Sequence, residues 1–265
     1  MIDLHEIGDL IRKTAIAVVL PRFRNLQANQ IREKHPGDYV TIADTEAEEM
    51  LGRLLMATVP GTVVCGEEAV ARDRTTLDLL GQSAPVWVID PVDGTGNFAN
   101  GRIGFAMIVA LIENGVTTAG WIHDPLNDIT IHAQRGGGAW CGRQRMIVDH
   151  SVRLAGMNGS AYGCVPDGAN AYMRLTAAGA VAEVENTGSG GIDYILMARS
   201  VTHFKFSSVS LPWDHAAGIL IMQEAGAVAR FFDGSPYDIR RHKHHLLITP
   251  TEETWTALHG ILARP

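Results

Sequence analysis

Residues 86–98 combine a short apolar run with two carboxylates and a turn that contains glycine. Val86–Ile89 are β-branched or aromatic, which is typical of a strand covered on both faces. Asp90 and Asp93 follow this run, and we expect them to emerge at its end because Pro91 cannot donate to a β-ladder. The stretch therefore predicts that a buried strand delivers two acidic side chains to one place.

The turn that follows suits a phosphate group. Gly94 lets a ligand approach the backbone closely, and Thr95 offers a hydroxyl group. Free N–H groups at such a turn attract an anion, especially if a helix begins near Thr95. Gly94 and Thr95 are therefore candidate phosphate-binding residues.

Two further acidic patches lie next to predicted buried elements. Glu67 and Glu68 follow the strand-like residues Thr62–Cys65. Asp214 falls in the first turn of a helix predicted over 213–225, where it could cap the helix or bind a ligand. Hard oxygen ligands of this kind suit Mg²⁺ or Mn²⁺.

These motifs together resemble the pattern of the inositol monophosphatase superfamily, which comprises lithium-sensitive, magnesium-dependent phosphomonoesterases. The matching motifs are Gly66-Glu67-Glu68, Trp87 to Phe98 and Trp213 to Gly218. Three separated motifs in the right order are a far more specific match than any one of them. The resemblance implies a mixed α+β and α/β fold, with the layered α-β-α-β-α sandwich of inositol monophosphatase and fructose-1,6-bisphosphatase.

A different phosphatase class is excluded by one residue. Asp-Gly-Thr also occurs in haloacid-dehalogenase-type enzymes, in which an aspartate two residues before the second Asp attacks phosphorus. Pro91 occupies that position and carries no nucleophile. We therefore expect no covalent aspartyl-phosphate, and the resemblance implies direct attack by a metal-activated water.

The resemblance assigns metal ligands residue by residue. One Mg²⁺ would be held by Glu67, Asp90 and the backbone carbonyl of Val92, and a second by Asp90, Asp93 and Asp214. Two or three ions are implied for each site, and Mn²⁺ can substitute.

The resemblance also implies which residues act on the attacking water. Thr95 paired with Asp44 matches the family's water-orienting and third-metal group, so the expected catalytic residues are Thr95, Asp44 and Asp93. On pattern alone, Asp44 could equally cap the helix predicted from Thr45.

The predicted substrate pocket departs from the family pattern. Members that act on inositol phosphate usually carry Glu where this chain has Ser207, and His203 and Lys205 add basic character nearby. Alternation along a strand would place these three residues on one face. The segment that lines the family's pocket reads Gly188, Ser189 and Gly190 here. myo-Inositol 1-phosphate is therefore expected to be a mediocre substrate.

The substrate class stays open at this point. A small-molecule phosphate monoester is expected, and the alternatives are a sugar bisphosphate, a 3′-phosphonucleotide and histidinol phosphate. From another functional class, a homologue that binds metal or phosphate with little turnover is the other hypothesis. The resemblance implies a homodimer.

Composition limits the partners and the location. The chain has 265 residues and is 46% hydrophobic, so one large domain or two packed halves can bury an ample core. A net charge of −7 argues against a nucleic-acid polymer as the main partner. Three cysteines without paired spacing suit a reducing cytoplasm, and the apolar run 14–21 is too short to span a membrane.

The order of predicted elements divides the chain into two halves. Helices are expected over 4–20 and 45–58, and strands then dominate to about residue 131, with a hairpin turn rather than a nucleotide-binding loop at 136–138. After about residue 151 helices and strands alternate. We expect an N-terminal α+β half, 1–150, with most of the metal ligands, and a C-terminal α/β half, 151–265, that contributes Asp214 and the substrate pocket.

Overall fold

The computed structural model describes residues 2–264, and none of the helices within them is long and apolar enough to cross a membrane. The α-helices are α1 (Leu4–Thr14), α2 (Ile42–Thr58), α3 (Glu67–Arg72), α4 (Thr95–Ala99), α5 (Ala171–Ala178), α6 (Gly190–Ala198), α7 (Pro212–Glu224) and α8 (Glu252–Leu262). The strands are β1 (Ile31–His35), β2 (Asp38–Thr41), β3 (Val63–Gly66), β4 (Val86–Asp93), β5 (Ala106–Glu113), β6 (Val116–Asp124), β7 (Ile129–Gln134), β8 (Gly138–Cys141), β9 (Gln144–Met146), β10 (Asn158–Tyr162), β11 (Glu183–Glu185), β12 (Phe204–Ser207), β13 (Val228–Phe231) and β14 (Leu246–Thr249).

Two main sheets organise the described residues. Strands β3 to β9 form a seven-stranded sheet in chain order, in which β3 and β4 are parallel and the later neighbours are antiparallel. The second sheet has five strands in the order β11-β10-β12-β14-β13, with β10 parallel to both of its neighbours. Strands β1 and β2 form a separate hairpin directly before α2.

Apolar clusters join the sheets and helices into five layers. Helices α1 and α2 bury Ile7 and Leu51 against one face of the seven-stranded sheet. Helices α6 and α7 fill the space between the sheets, where Ile219 belongs to the same cluster as residues of both. Helices α5 and α8 cover the outer face of the five-stranded sheet. This α-β-α-β-α order confirms the predicted fold class.

Both faces of strand β4 are apolar because the strand lies between two layers of helices. Trp87 and Ile89 face α1 and α2, whereas Val86 and Val88 face α6 and α7. Successive side chains of a strand point to opposite faces, so a strand between two helical layers needs a continuous apolar run. The prediction of a covered strand at this position is confirmed.

The structure corrects three details of the predicted elements. Strand β4 continues to Asp93, so the expectation that Pro91 ends the ladder is wrong; Pro91 lies in a bulge, where a missing N–H costs no ladder bond. Helix α2 begins at Ile42, three residues before the predicted start. Strands β1, β2 and β10 were not predicted, because β1 is largely charged and exposed, β2 is only four residues long, and β10 is built mainly from small residues.

Close packing of α7 on the seven-stranded sheet gives a stability test. A Cβ added at Gly120 in β6 would lie 2.8 Å from the Ala217 Cα atom of α7. Gly120→Ala should therefore lower the free energy of unfolding by about 1–3 kcal/mol, because helix and sheet must separate. Gly260→Ala is the control: its Cβ would meet no atom within 4 Å, and it should be neutral or stabilise α8 by up to about 1 kcal/mol. Urea denaturation measures both, and equal effects would contradict the close contact.

Candidate functional site

Three aspartates from the two halves of the chain meet at one point. Asp90 and Asp93 come from β4, and Asp214 comes from the first turn of α7. One carboxylate oxygen from each lies within 4.8 Å of the others. Asp90 and Asp93 are buried, so their charges are poorly screened by water.

A bulge in β4 brings Asp90 and Asp93 to the same side of the strand. Asp90 pairs with Ile108 and Asp93 with Ala106, so three steps along β4 oppose two steps along β5. Regular alternation would send residues three apart to opposite faces, and the extra residue reverses the phase. The backbone N–H of Val92 donates to Asp90 Oδ1 at 3.0 Å, which holds the bulge.

The turn after β4 is built around a left-handed glycine. Gly94 has φ +89°, and a Cβ there would lie 2.9 Å from the Gly104 carbonyl oxygen. Both the backbone conformation and the space therefore require glycine. The next residue, Thr95, begins the short helix α4, and its Oγ1 lies 2.8 Å from the Val92 carbonyl oxygen and 3.0 Å from Asp44 Oδ1.

Asp44 contacts the site and also supports a helix terminus. Thr41 is the N-cap of α2, and Asp44 at the third helical position accepts from the Thr41 N–H at 2.8 Å and from its hydroxyl at 2.5 Å. Capping and contact with Thr95 therefore coexist. Burial raises the pKa of Asp44 to about 6.

Glu67 lies near the three aspartates but engages a lysine that the sequence did not single out. Lys34 of β1 donates to Glu67 Oε1 at 2.7 Å and to Glu68 Oε1 at 3.1 Å. Burial raises the pKa of Glu67 to about 7 even against the attraction of Lys34. Glu68 is buried as well, although one of two adjacent acids could have been expected to face solvent.

Glu48 is a buried acid that the sequence did not indicate. Its oxygens accept from the N–H groups of Glu68 at 2.8 Å and Ala69 at 2.9 Å, at the start of α3. Burial raises the pKa of Glu48 to about 7. A Cβ at Gly66 would lie 2.2 Å from the Glu48 carboxylate, which explains the glycine before the two acids. Its position one turn beyond Asp44 on the same helix, and therefore on the same face, was the available signal.

Asp93 also connects the seven-stranded sheet to α6. Its Oδ2 accepts from the Gly191 N–H at 2.7 Å and from the Ser189 hydroxyl, and its Oδ1 accepts from the Gly190 N–H at 3.2 Å. A carboxylate is favoured at a helix N-terminus, and these bonds oppose the effect of burial, which raises the pKa of Asp93.

A cavity of about 300 Å³ opens beside Asp93 and Asp214. The predicted pocket residues that line it are Gly188, Ser189, Gly190, Lys205 and Ser207. The lining side chains that the sequence did not single out include Tyr162 and Asp193.

The structure does not bring His203 into this cavity. Strand β12 begins only at Phe204, so alternation does not extend back to residue 203. The His203 Nδ1 atom instead accepts from the Asn158 N–H at 3.1 Å, and His203 lines a small cleft with Asp149 and Met197, near the C-terminal end of α6.

The ammonium group of Lys205 is paired. Lys205 Nζ donates to Asp193 Oδ2, and the two side chains are 5% and 9% exposed. Asp193 also accepts from the hydroxyl groups of Ser160 at 2.9 Å and Thr187 at 2.7 Å. This positive charge is therefore largely compensated within the cavity wall.

The acidic residues fit a divalent cation. All offered ligands are hard oxygens, which Mg²⁺ and Mn²⁺ prefer. Burial, followed by repulsion from neighbouring carboxylates, raises the pKa of Asp90 and Asp214 well above the usual range. Buried carboxylates that repel one another are stabilised by a bound cation, which supplies the missing positive charge.

Comparison with known proteins gives consistent similarities. The model of the inositol monophosphatase family matches residues 6–263. The chain is 31% identical to an inositol-1-monophosphatase of Mesorhizobium japonicum, covering 80% of this chain and 79% of the relative. It is also 31% identical to the Nus factor SuhB of Vibrio cholerae, covering 79% and 78%.

Solved structures share the fold. A Thermotoga maritima IMPase superposes with a TM-score of 0.81 at 23% identity, over 97% of each chain. An extragenic suppressor protein suhB from Bartonella henselae gives a TM-score of 0.78 at 27% identity, over 98% of this chain and 95% of that one.

The raised pKa values predict that stabilisation by Mg²⁺ increases with pH. The folded-state pKa values of Asp44 and Glu67 are about 6 and about 7, above the ordinary carboxyl values near 4. Their contribution to stability is therefore complete below pH ~4 and is lost as the pH rises through about 6–7. A cation binds the ionised groups, so Mg²⁺ should raise Tm more at pH 8 than at pH 5.

Thermal melts with EDTA or Mg²⁺, followed by circular dichroism, measure this difference. A matched ionic strength of KCl is the control. An equal Mg²⁺-induced shift at both pH values would contradict the assignment of these buried acids to a cation site.

Proposed function

Because the chain belongs to the inositol monophosphatase family, we propose that it is a Mg²⁺-dependent phosphatase that hydrolyses a small-molecule phosphate monoester. The observation that carries the proposal is the meeting of Asp90, Asp93 and Asp214 beside a cavity of about 300 Å³. Acids on one wall and a ligand-sized space beside them suit a phosphate ester whose leaving group fills the cavity.

The proposed metal ligands fall into two sets. Glu67, Asp90 and the Val92 carbonyl would hold one ion, and Asp90, Asp93 and Asp214 would hold another. Bound there, Mg²⁺ lowers the pKa of a coordinated water and stabilises charge on the phosphate and leaving-group oxygens. Mn²⁺ can substitute, and a third ion would lie near Asp44.

Thr95 and Asp44 would orient the attacking water. The single hydroxyl proton of Thr95 is shared between Asp44 Oδ1 and the Val92 carbonyl oxygen, so Thr95 Oγ1 keeps lone pairs that can accept from water. Asp44 Oδ1 is then the acceptor for the proton that leaves through Thr95. Backbone groups of Gly94 and Thr95 would bind phosphate oxygens.

The cavity wall favours a neutral leaving group. Ser207 Oγ donates to the Val209 carbonyl at 2.9 Å, so this hydroxyl is turned toward its own chain. A Glu at that position would offer two acceptors to ring hydroxyls, and their absence supports a weak activity on inositol 1-phosphate. The Lys205–Asp193 pair reduces the attraction for a second phosphate, so a sugar bisphosphate is disfavoured.

The halves 1–150 and 151–265 would each contribute to this one site, since Asp93 lies in the first and Asp214 in the second. We propose a homodimer in the cytoplasm, with no membrane or nucleic-acid polymer as partner. The charge of −7 supports the last point.

A second candidate function is binding of metal or phosphate with little turnover. Relatives named Nus factor SuhB favour it, because that name does not describe an enzyme. Release of inorganic phosphate from a panel of phosphomonoesters, with and without Mg²⁺, distinguishes the two functions.

Asp93→Asn should reduce phosphate release by at least 100-fold, because it removes a charge from a ligand position at nearly constant size. Asp78→Asn removes an exposed carboxylate far from the cavity and should retain the rate of the unmodified protein. Steady-state assays with circular dichroism as the folding control measure this. An undiminished rate of phosphate release by Asp93→Asn would contradict the assignment of Asp93 as a metal ligand.

Lithium should inhibit the reaction, because a small monovalent cation can compete for the position formed by Asp90, Asp93 and Asp214. The measurement is a Li⁺ titration at constant Mg²⁺, with K⁺ at the same ionic strength as the control. An equal response to Li⁺ and K⁺ would contradict the prediction.

A further inference from the structure

A cavity of about 320 Å³ lies where the edge of the seven-stranded sheet meets the C-terminal end of α6. Its walls are formed by residues 141, 144–147 and 198–200, and we call it the arginine cleft after Arg145 and Arg199. Helix α6 has nine residues, so its two ends are about 13 Å apart. Because Asp93 contacts the N-terminal end of α6, the arginine cleft is separate from the cavity beside the acidic cluster.

The arginine cleft carries an excess of positive charge. Among residues 2–264, neither Arg145 nor Arg199 forms an ion pair with a carboxylate. The described residues that line the cleft include no aspartate or glutamate. The chain as a whole has a net charge of −7, so two uncompensated cations in one cavity depart from its average. Such a cavity attracts anions.

The sheet holds the side chain of Arg145 in place. Arg145 of β9 pairs with Trp140 of β8, and its Cζ atom lies 5.6 Å from the centre of the Trp140 ring. A Cβ at Gly138 would lie 2.8 Å from the same Cζ atom, so the glycine makes room for the arginine. A contact between a cation and a ring restricts the side chain without using its N–H donors. These donors therefore stay available to a ligand.

The end of α6 positions the other wall. Arg199 is the C-cap of α6, and Ser200 follows it with φ +55°, in the left-handed conformation that commonly ends a helix. Ser200 Oγ accepts from the Asp149 N–H at 3.1 Å, so its hydroxyl proton can be donated to another group. The Asp149 carboxylate is itself engaged by the N–H and the hydroxyl of Ser151.

The donors of the cleft match one chemical class. Guanidinium groups recognise carboxylates and phosphates through paired N–H donors. Gln144 and Ser200 add an amide and a hydroxyl group to the same walls. The volume is at the lower end of the range of small-molecule pockets, which favours a small anion with more than one charged group.

We propose that the arginine cleft binds a small multivalent oxyanion, a diphosphate or a polycarboxylate, between Arg145 and Arg199. Ser200 and Gln144 donate to its remaining oxygens. The site uses neither the acidic cluster nor a metal ion, so it is independent of the proposed phosphatase function.

Titration calorimetry with pyrophosphate and with citrate, in the presence of EDTA, tests the proposal. EDTA keeps cations from the acidic cluster, whose carboxylates then repel anions, so the heat reports the arginine cleft. The unmodified protein should bind one equivalent of at least one of these anions, and their relative affinity shows which oxyanion the cleft prefers. Arg145→Gln and Arg199→Gln should each weaken binding about tenfold, the effect of one lost hydrogen bond between charged groups.

Arg143→Gln is the matched control. It removes the same charge from an exposed position two residues before Arg145, and Arg143 does not line the cleft. Its affinity should change less than twofold, and an effect equal to that of Arg145→Gln would overturn the site in favour of general attraction. Arg145→Lys keeps the charge without the paired donors and should fall between, which preserves the test if Arg145→Gln does not fold. No binding of either anion by the unmodified protein would also overturn the proposal.

Phosphate release separates this site from the catalytic one. The double variant Arg145→Gln/Arg199→Gln should lose pyrophosphate and citrate binding and keep the unmodified rate of Mg²⁺-dependent phosphate release. Loss of both properties in a folded variant would place the anion at the phosphatase site and overturn the proposal. Anion binding by an unmodified protein that hydrolyses no ester would support the cleft and overturn the phosphatase.

A segment of nucleic acid is the competing occupant, because its phosphates offer repeated negative charge. A short single-stranded RNA is titrated under the same conditions. Binding of the RNA without binding of pyrophosphate or citrate would overturn the assignment to a small anion. Binding of a small anion without the RNA supports it.

Discussion

The hydrogen bonds of Asp93 are the interaction on which the geometry of the site depends. Asp93 lies at the end of the buried strand β4, and its carboxylate accepts from Ser189 and from the N–H groups of Gly190 and Gly191 at the start of α6. Helix α6 packs against α7, which carries Asp214. One buried carboxylate thus connects the sheet, the cavity wall and the third acid. Gly191 is required there, because a Cβ would lie 2.7 Å from the Ala106 side chain.

The chemistry follows from how this region distributes charge. Buried acids from β4 and from the neighbouring helices would repel one another, and the protein compensates part of that charge with Lys34 on Glu67 and Lys205 on Asp193. Among residues 2–264, no lysine forms an ion pair with Asp90 or Asp214, and burial raises the pKa of both. The uncompensated charge is therefore concentrated beside the cavity, where a divalent cation and a phosphate group can share it.

Much of the fold and the acidic cluster could be predicted because their signals are local. An apolar run followed by acids and glycine needs only the chemistry of residues 86–98, and the helix after Pro212 is apparent from its composition. The bulge was not apparent, because it depends on pairing with β5. Lys34 was missed for a similar reason, since it belongs to a separate hairpin whose contact with Glu67 is a tertiary one.

The sequence by itself determined the family, the layered fold and the residues with acidic chemistry, because motif order and apolar periodicity are properties of the chain. Only the tertiary structure decided which side chains meet. In the folded chain His203 lies outside the cavity and Lys205 pairs with Asp193. The side chain of Tyr162 lines two cavities. The physical reason is that a pattern indicates the direction of a side chain within its own element, whereas partners and cavities depend on how separate elements pack against each other.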